Sequence, residues 1–303
     1  DYQVGPVRGA LTSVAGTNTV LCPMVSLTSN AVYIASLKTG GKLILSGVIS
    51  GVQDLSVYGD GDTELGGPMV TGNKALIKNG GGTLTLSGIG TNTFSGTTTV
   101  NDGTLFLAKA NGSLPVNAIA NGAVNINDGA VLRYAASSTN PDMIGTGAIT
   151  VNGTGRLDFN GASDTVGTLN VAVSGAIVDT TNLLNTVGGG NLTVASLTVQ
   201  PAQGLLTCLD SGTGLLTLGG NLTFNANTTG RALLSGRLAL GGSTRTFTVN
   251  TGIASNYDLS IDAVISGATG AGITKSGGGM LRLGGANTFD GNLSVGNSLG
   301  TVV

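Results

Sequence analysis

Short alternating runs separated by glycine constrain this chain more than any other feature. Lys78 to Leu107 reads KNGGGTLTLSGIGTNTFSGTTTVNDGTLFL, and it holds three such runs: Thr83–Leu86, Thr97–Val100 and Thr104–Leu107. The same phrase returns at Lys275 to Val295 as KSGGGMLRLGGANTFDGNLSV. Lys78 matches Lys275, Gly80 to Gly82 match Gly277 to Gly279, and Leu84 and Leu86 match Leu281 and Leu283. After a loop of different length, Asn92-Thr93-Phe94 and Gly96 match Asn287-Thr288-Phe289 and Gly291. Leu43 to Gly51 and Leu259 to Gly267 form a further related pair, each ending Val-Ile-Ser-Gly and each preceding one GGG unit. A turn-strand-turn-strand unit that recurs in one chain is the signature of a repeat architecture.

Composition decides what kind of repeat this is. Glycine is 53 of 303 residues, charged residues are only 9%, and net charge is −2. Apolar residues are 40% and follow a period of two, which is the opposite of the low hydrophobicity and high charge of disordered chains. Glycine does not recur every third residue and prolines number six, so collagen is excluded. No basic stripe marks a nucleic-acid partner. No apolar run reaches the ~18 residues of a membrane-spanning helix. No signal peptide is visible at Asp1, which fits a mature or trimmed form.

From Lys42 onward, four- and five-residue runs alternate apolar with polar, as in Ala148–Val151, Thr168–Val171, Asn191–Val194 and Thr246–Val249. Such runs are half-buried strands, and helical spacing is sustained nowhere. A sandwich has about seven to nine strands in ~100 residues, so this strand count would need several with no linker between them. Membrane barrels need strands of ~9–11 residues with aromatic girdles, and aromatics here are 4%. The fold class expected is all-β, a parallel β-solenoid (β-helix) of roughly a dozen short-stranded coils, each of roughly 20–25 residues. Residues 1–40, broken by Pro6, Arg8 and Pro23, are expected to form an N-terminal arm or irregular cap. The solenoid is expected over 41–303, with an inserted loop near 52–73 that carries Pro68 and an acidic cluster.

The unit carried by Lys78, Gly80 to Gly82, Leu84, Leu86, Gly88, Asn92-Thr93-Phe94, Gly96, Val100, Gly103 and Leu105 resembles the autotransporter-associated β-strand repeat, also described as a passenger-associated transport repeat. The strong match spans about 50 residues, and Lys275 to Val295 supplies the second copy. The resemblance implies a secreted or surface-displayed bacterial β-solenoid that serves as stalk, adhesin or surface layer. The sequence departs from an autotransporter in carrying no C-terminal barrel.

Chemistry-bearing residues are sparse. There is no histidine, hence no Ser-His-Asp or Cys-His machinery. Asp60, Asp62 and Glu64 alternate on a glycine-rich stretch and offer oxygen ligands to Ca2+, against the plainer reading of a solvated turn. The other acids and the arginines are scattered singly, so a polysaccharide-active enzyme is the least favoured reading and no catalytic residue is assigned. Cys22 and Cys208 form neither a metal motif nor a disulfide framework; they read as two buried small hydrophobes or as one bond within or between chains. Asn111, Asn152, Asn191, Asn221, Asn227 and Asn292 begin N-x-S/T sequons that strands of the N-L-T-V kind produce by composition.

The ends carry the functional expectation. No polar capping segment is evident, and a solenoid exposes strand edges at both ends. Complementary open ends make a heterologous contact that propagates. The leading expectation is a secreted structural protein that self-associates head to tail into an extracellular fibre or surface layer. Its rival is an adhesin or stalk fragment of a longer passenger with a cell-surface glycan as partner.

Overall fold

A computed structural model describes residues 10–28, 32–110, 115–136, 140, 142–172, 182–185, 190–201, 206–225, 229–252, 256–296 and 301–303. Among them there is no helix, and every strand pairing is parallel. The chain is a β-solenoid of about ten coils. It divides into two compact units, Asp1–Gly147 and Ala148–Val303.

In the first unit each coil has three faces. The first face stacks Leu11–Ser13, Val32–Ser36, Leu55–Tyr58, Leu76–Lys78, Thr98–Val100 and Val124–Ile126. The second stacks Thr17–Val20, Lys42–Leu45, Asp62–Leu65, Thr83–Gly88, Thr104–Lys109 and Val131–Tyr134. The third is a short sheet of Met24–Leu27, Val48–Gly51 and Met69–Val70. Alternation sends every second side chain inward, where equivalent residues of successive coils stack about 4.8 Å apart. One column runs Leu45, Leu65, Leu86, Leu107, Tyr134, all fully buried. Burying each such side chain contributes about 1.5–3 kcal/mol, an upper estimate that the chain entropy opposes.

The second unit repeats the plan. Its first face carries Leu169, Leu197, Leu222 and Phe247 in one buried column and Val171, Val199, Phe224 and Val249 in the next. In Asp164–Ala172 and Asn191–Gln200 the third and first faces join as one long strand. The inward–outward alternation slips by one residue at Gly167 and at Ala195, which turns the chain from one face onto the next without a loop.

Two expectations about organisation change. Leu11–Ser13, Thr17–Val20 and Met24–Leu27 form a regular coil, so residues 10–28 are not an irregular cap; residues 1–9 lie outside the described residues. The stretch near 52–73 is not an inserted loop. It is a full coil, Leu55–Tyr58, Asp62–Leu65 and Met69–Val70. Pro23 and Pro68 sit just ahead of third-face strands, where a missing N–H is tolerated, and their carbonyls accept from Val48 (3.1 Å) and Ile49 (2.9 Å). Coil length also ranges more widely than expected: Lys42 pairs with Asp62, 20 residues on, whereas Leu169 pairs with Leu197, 28 residues on. Corners absorb the difference, because the ladder constrains only the strands.

Candidate functional site: a lysine corner and an asparagine bridge

The repeat motif is built around a lysine that points inward. In the first-face column Val57, Lys78, Val100, Ile126, three members are apolar and Lys78 is 2% exposed. Its Nζ donates to the carbonyls of Asn79 (3.3 Å), Gly80 and, on the following coil, Asp102 (3.1 Å). The ammonium therefore closes the corner between first and second faces, where carbonyls would otherwise lack donors. Burial pushes the Lys78 amine down to about 8, and the nearby Asp102, Asp62 and Asp60 charges only partly oppose it.

The three glycines after the lysine have separate jobs. Gly80 has φ +78°, a left-handed conformation that side chains disfavour. Gly82 lies so close to the coil below that an added Cβ would stand 2.1 Å from the Gly61 carbonyl oxygen. Gly81 has room, with nothing nearer than the Asp60 carboxylate at 3.4 Å. Positive φ at a tight corner fixes the first glycine, and close backbone approach fixes the third.

Asn92 replaces a strand. No third-face strand forms at Asn92-Thr93-Phe94. Instead the Asn92 side chain, 1% exposed, accepts from the Met69 N–H on the coil below (2.8 Å) and donates Nδ2–H to the Ala118 carbonyl above (2.7 Å). A side-chain amide thus stands in for a peptide group in the ladder, and Thr93 N–H continues it to the Met69 carbonyl (2.8 Å). Phe94 fills the core beneath, fully buried. The bridging role of Asn92 depends on groups 23 residues back and 26 ahead.

The second copy repeats this geometry. Lys275 is fully buried, stacked on Phe247, and its Nζ donates to the Ser276 (3.0 Å) and Gly277 carbonyls. Burial lowers its pKa and Asp258 partly offsets this. Asn287 Oδ1 accepts from Ile265 N–H (3.0 Å), as Asn92 does from Met69. The upward half differs. Among the described residues Asn287 Nδ2 meets no acceptor, Phe289 is half-exposed, and Val295, which matches the fully buried Val100, is 52% exposed.

A third inward lysine lies outside the motif. Lys109, 2% exposed, stacks above Gly88, and among the described residues its Nζ reaches only the Gly67 carbonyl at 3.5 Å. Burial alone pushes its amine down to about 8. None of the three lysines was singled out for this role from the sequence. The signal was present for Lys78, which stands two residues after Leu76 and so in the inward phase.

The three acidic residues suggested for Ca2+ lie together on one side of the second face and its preceding corner. Asp60 Oδ1 accepts from Gly81 N–H (3.3 Å) and Asp62 Oδ1 from Thr83 N–H (2.9 Å), both on the next coil. Glu64 pairs with Lys42 (2.6 Å) and accepts from Ser87 Oγ (2.7 Å), and these two partners hold its carboxyl below the usual range. Among the described residues no group of three or more His, Cys, Asp or Glu is gathered to hold a metal ion. An outer-corner amide ladder joins Asn79, Asn101 and Asn127 at 2.9 and 2.7 Å. Cys22 is a half-buried free thiol; the Cys208 side chain, Asn111 and Asn227 lie outside the described residues. Among the described residues no helix is long and apolar enough to cross a membrane.

Stacked parallel coils with columns of equivalent inward residues define a β-solenoid repeat protein. Two of its stretches, 76–105 and 273–303, match the family model described as passenger-associated-transport-repeat. The matches take in both lysine corners and both Asn-Thr-Phe segments, Asn92–Phe94 and Asn287–Phe289. No curated protein and no solved structure matches the chain.

Proposed function

We propose that this chain is a passenger-type structural segment, exported to the bacterial cell surface or beyond, and that it associates end to end into a fibre or surface layer. The passenger-repeat matches support export and display. The observation that carries the reading is the pair of passenger-repeat matches set within a β-solenoid of stacked parallel coils. Sedimentation velocity and negative-stain microscopy over a concentration series test it. Particles that lengthen with concentration are expected; a monodisperse monomer at high concentration overturns the reading.

A second reading rests on the passenger match: the segment belongs to a longer passenger and serves as stalk or adhesin that meets a surface glycan. The length of the precursor's reading frame separates the two, because a long frame that ends in a barrel favours the stalk.

A further inference from the structure

We propose that the outward side of the first face in the second unit is an ice-binding surface, a two-column array of hydroxyl and amide groups that takes ordered water as its ligand. This surface is independent of the end-to-end reading. Strand registers within Ala148–Val303 build the array. One outward column runs Thr150, Asn170, Thr198, Thr223, Thr248 and Ser276. The column beside it begins with the pair Thr168 and Ser196 and ends with the pair Thr246 and Thr274. Asn221 lies between them, one residue ahead of Leu222 just as Thr246 is one ahead of Phe247, the partner of Leu222. No register shift interrupts these parallel pairings. Groups in one column therefore stand about 4.8 Å apart, and the two columns, two residues apart along each strand, about 6.7 Å apart.

Other outward columns lack this regularity. A first-face column of the first unit runs Tyr33, Ser56, Ile77, Thr99 and Asn125. On the second face of the second unit, Leu233, Ser260 and Arg282 share a column, and Asp210 and Asp262 stand beside it. Those faces mix aromatic, aliphatic and charged groups, whereas the two hydroxyl columns hold no charged side chain. Branching at Cβ restricts χ1, so the threonine hydroxyls keep their places. Within the columns, Thr168 Oγ1 lies 2.9 Å from Ser196 Oγ, and Thr248 Oγ1 lies 3.0 Å from Ser276 Oγ. A hydroxyl has one donor and two acceptor positions, so such a row still turns bonding capacity outward. Water answers with donors and acceptors of its own at every site, and a bridging water bonds nearly as well as a direct contact. The oxygen rows of ice repeat at a similar pair of spacings, and a lattice of fixed hydroxyls orders its first water layer in that pattern. A charge would hold water in another arrangement, since an ammonium group is strongly hydrated.

Slow freezing tests the surface. When ice grows slowly through a dilute solution, the unsubstituted protein should enter the ice and should hold the freezing point below the melting point of the same crystal. Thr223→Lys and, as a separate variant, Thr248→Lys place a hydrated charge at half-exposed positions of the array. Each should melt as the parent does and lose both effects. Thr85→Lys, at a half-exposed position on the second face of the first unit, should keep both. Exclusion of the unsubstituted protein from ice overturns the proposal, whether or not fibres form; retention on insoluble cellulose in its place would assign the columns to a polysaccharide. Ice activity that survives both array variants overturns this site.

Discussion

The Lys78 ammonium donates to the Asp102 carbonyl 3.1 Å away on the next coil, and so one inward lysine ties two coils at the corner the motif forms. Its bonds to Asn79 and Gly80 anchor the same atom within its own coil. Lys78→Met should keep the stem's packing and strand these carbonyls. The expected loss is about 1–3 kcal/mol, read as a lower denaturation midpoint, since an orphaned buried acceptor costs its desolvation. Unchanged stability would show that the corner does not depend on the ammonium.

Lys109 should behave in the opposite sense. Among the described residues its amine has one long contact and no acidic partner, so its buried charge opposes folding. The ordinary lysine value is 10.5 and the folded value about 8. Between these pH values the unfolded chain holds the extra proton, so stability rises as pH increases across that window. Below about 8 both states hold the proton and the penalty is constant. Lys109→Met should raise the melting temperature at pH 7 and flatten the rise. Lys78 titrates in the same window, so the difference between the variant and the unsubstituted protein isolates Lys109.

The GGG corner separates two glycines that look alike in sequence. Gly82→Ala would force a Cβ to 2.1 Å from the Gly61 carbonyl oxygen, and the backbone must move; a loss of about 2 kcal/mol or more is expected. Gly81→Ala meets only the Asp60 carboxylate at 3.4 Å and should lie within about 0.5 kcal/mol of the parent. Denaturant midpoints of the two variants check this directly.

Calcium at Asp60, Asp62 and Glu64 would have to compete with Lys42 for Glu64. Addition of millimolar-range Ca2+ to chelated protein is expected to leave the melting temperature unmoved; a rise that Asp62→Asn abolishes would establish the site. Acid gives a separate readout. The folded Glu64 carboxyl titrates below its ordinary 4.5, so its contribution is present above that value and is lost as pH falls through the folded one. Glu64→Gln should remove that part of the acid sensitivity.

Much of the fold was legible in the residues because period-two alternation and glycine act locally. Leu84 and Leu86 share one phase of the alternating run Thr83–Leu86, and both are fully buried. The stretch 52–73 was misread because its charges suggested a loop. Asp62 and Glu64 occupy outward strand positions, where solvent and the next coil's N–H groups accept charge at little cost.

The sequence by itself determined the strand period, the corners and the identity of the two motif copies, because each depends on side-chain phase and backbone freedom within a few residues. Tertiary structure alone decided what Lys78 and Asn92 do. Their partners, Asp102, Met69 and Ala118, lie 23 to 26 residues away and come within reach only when the coils stack.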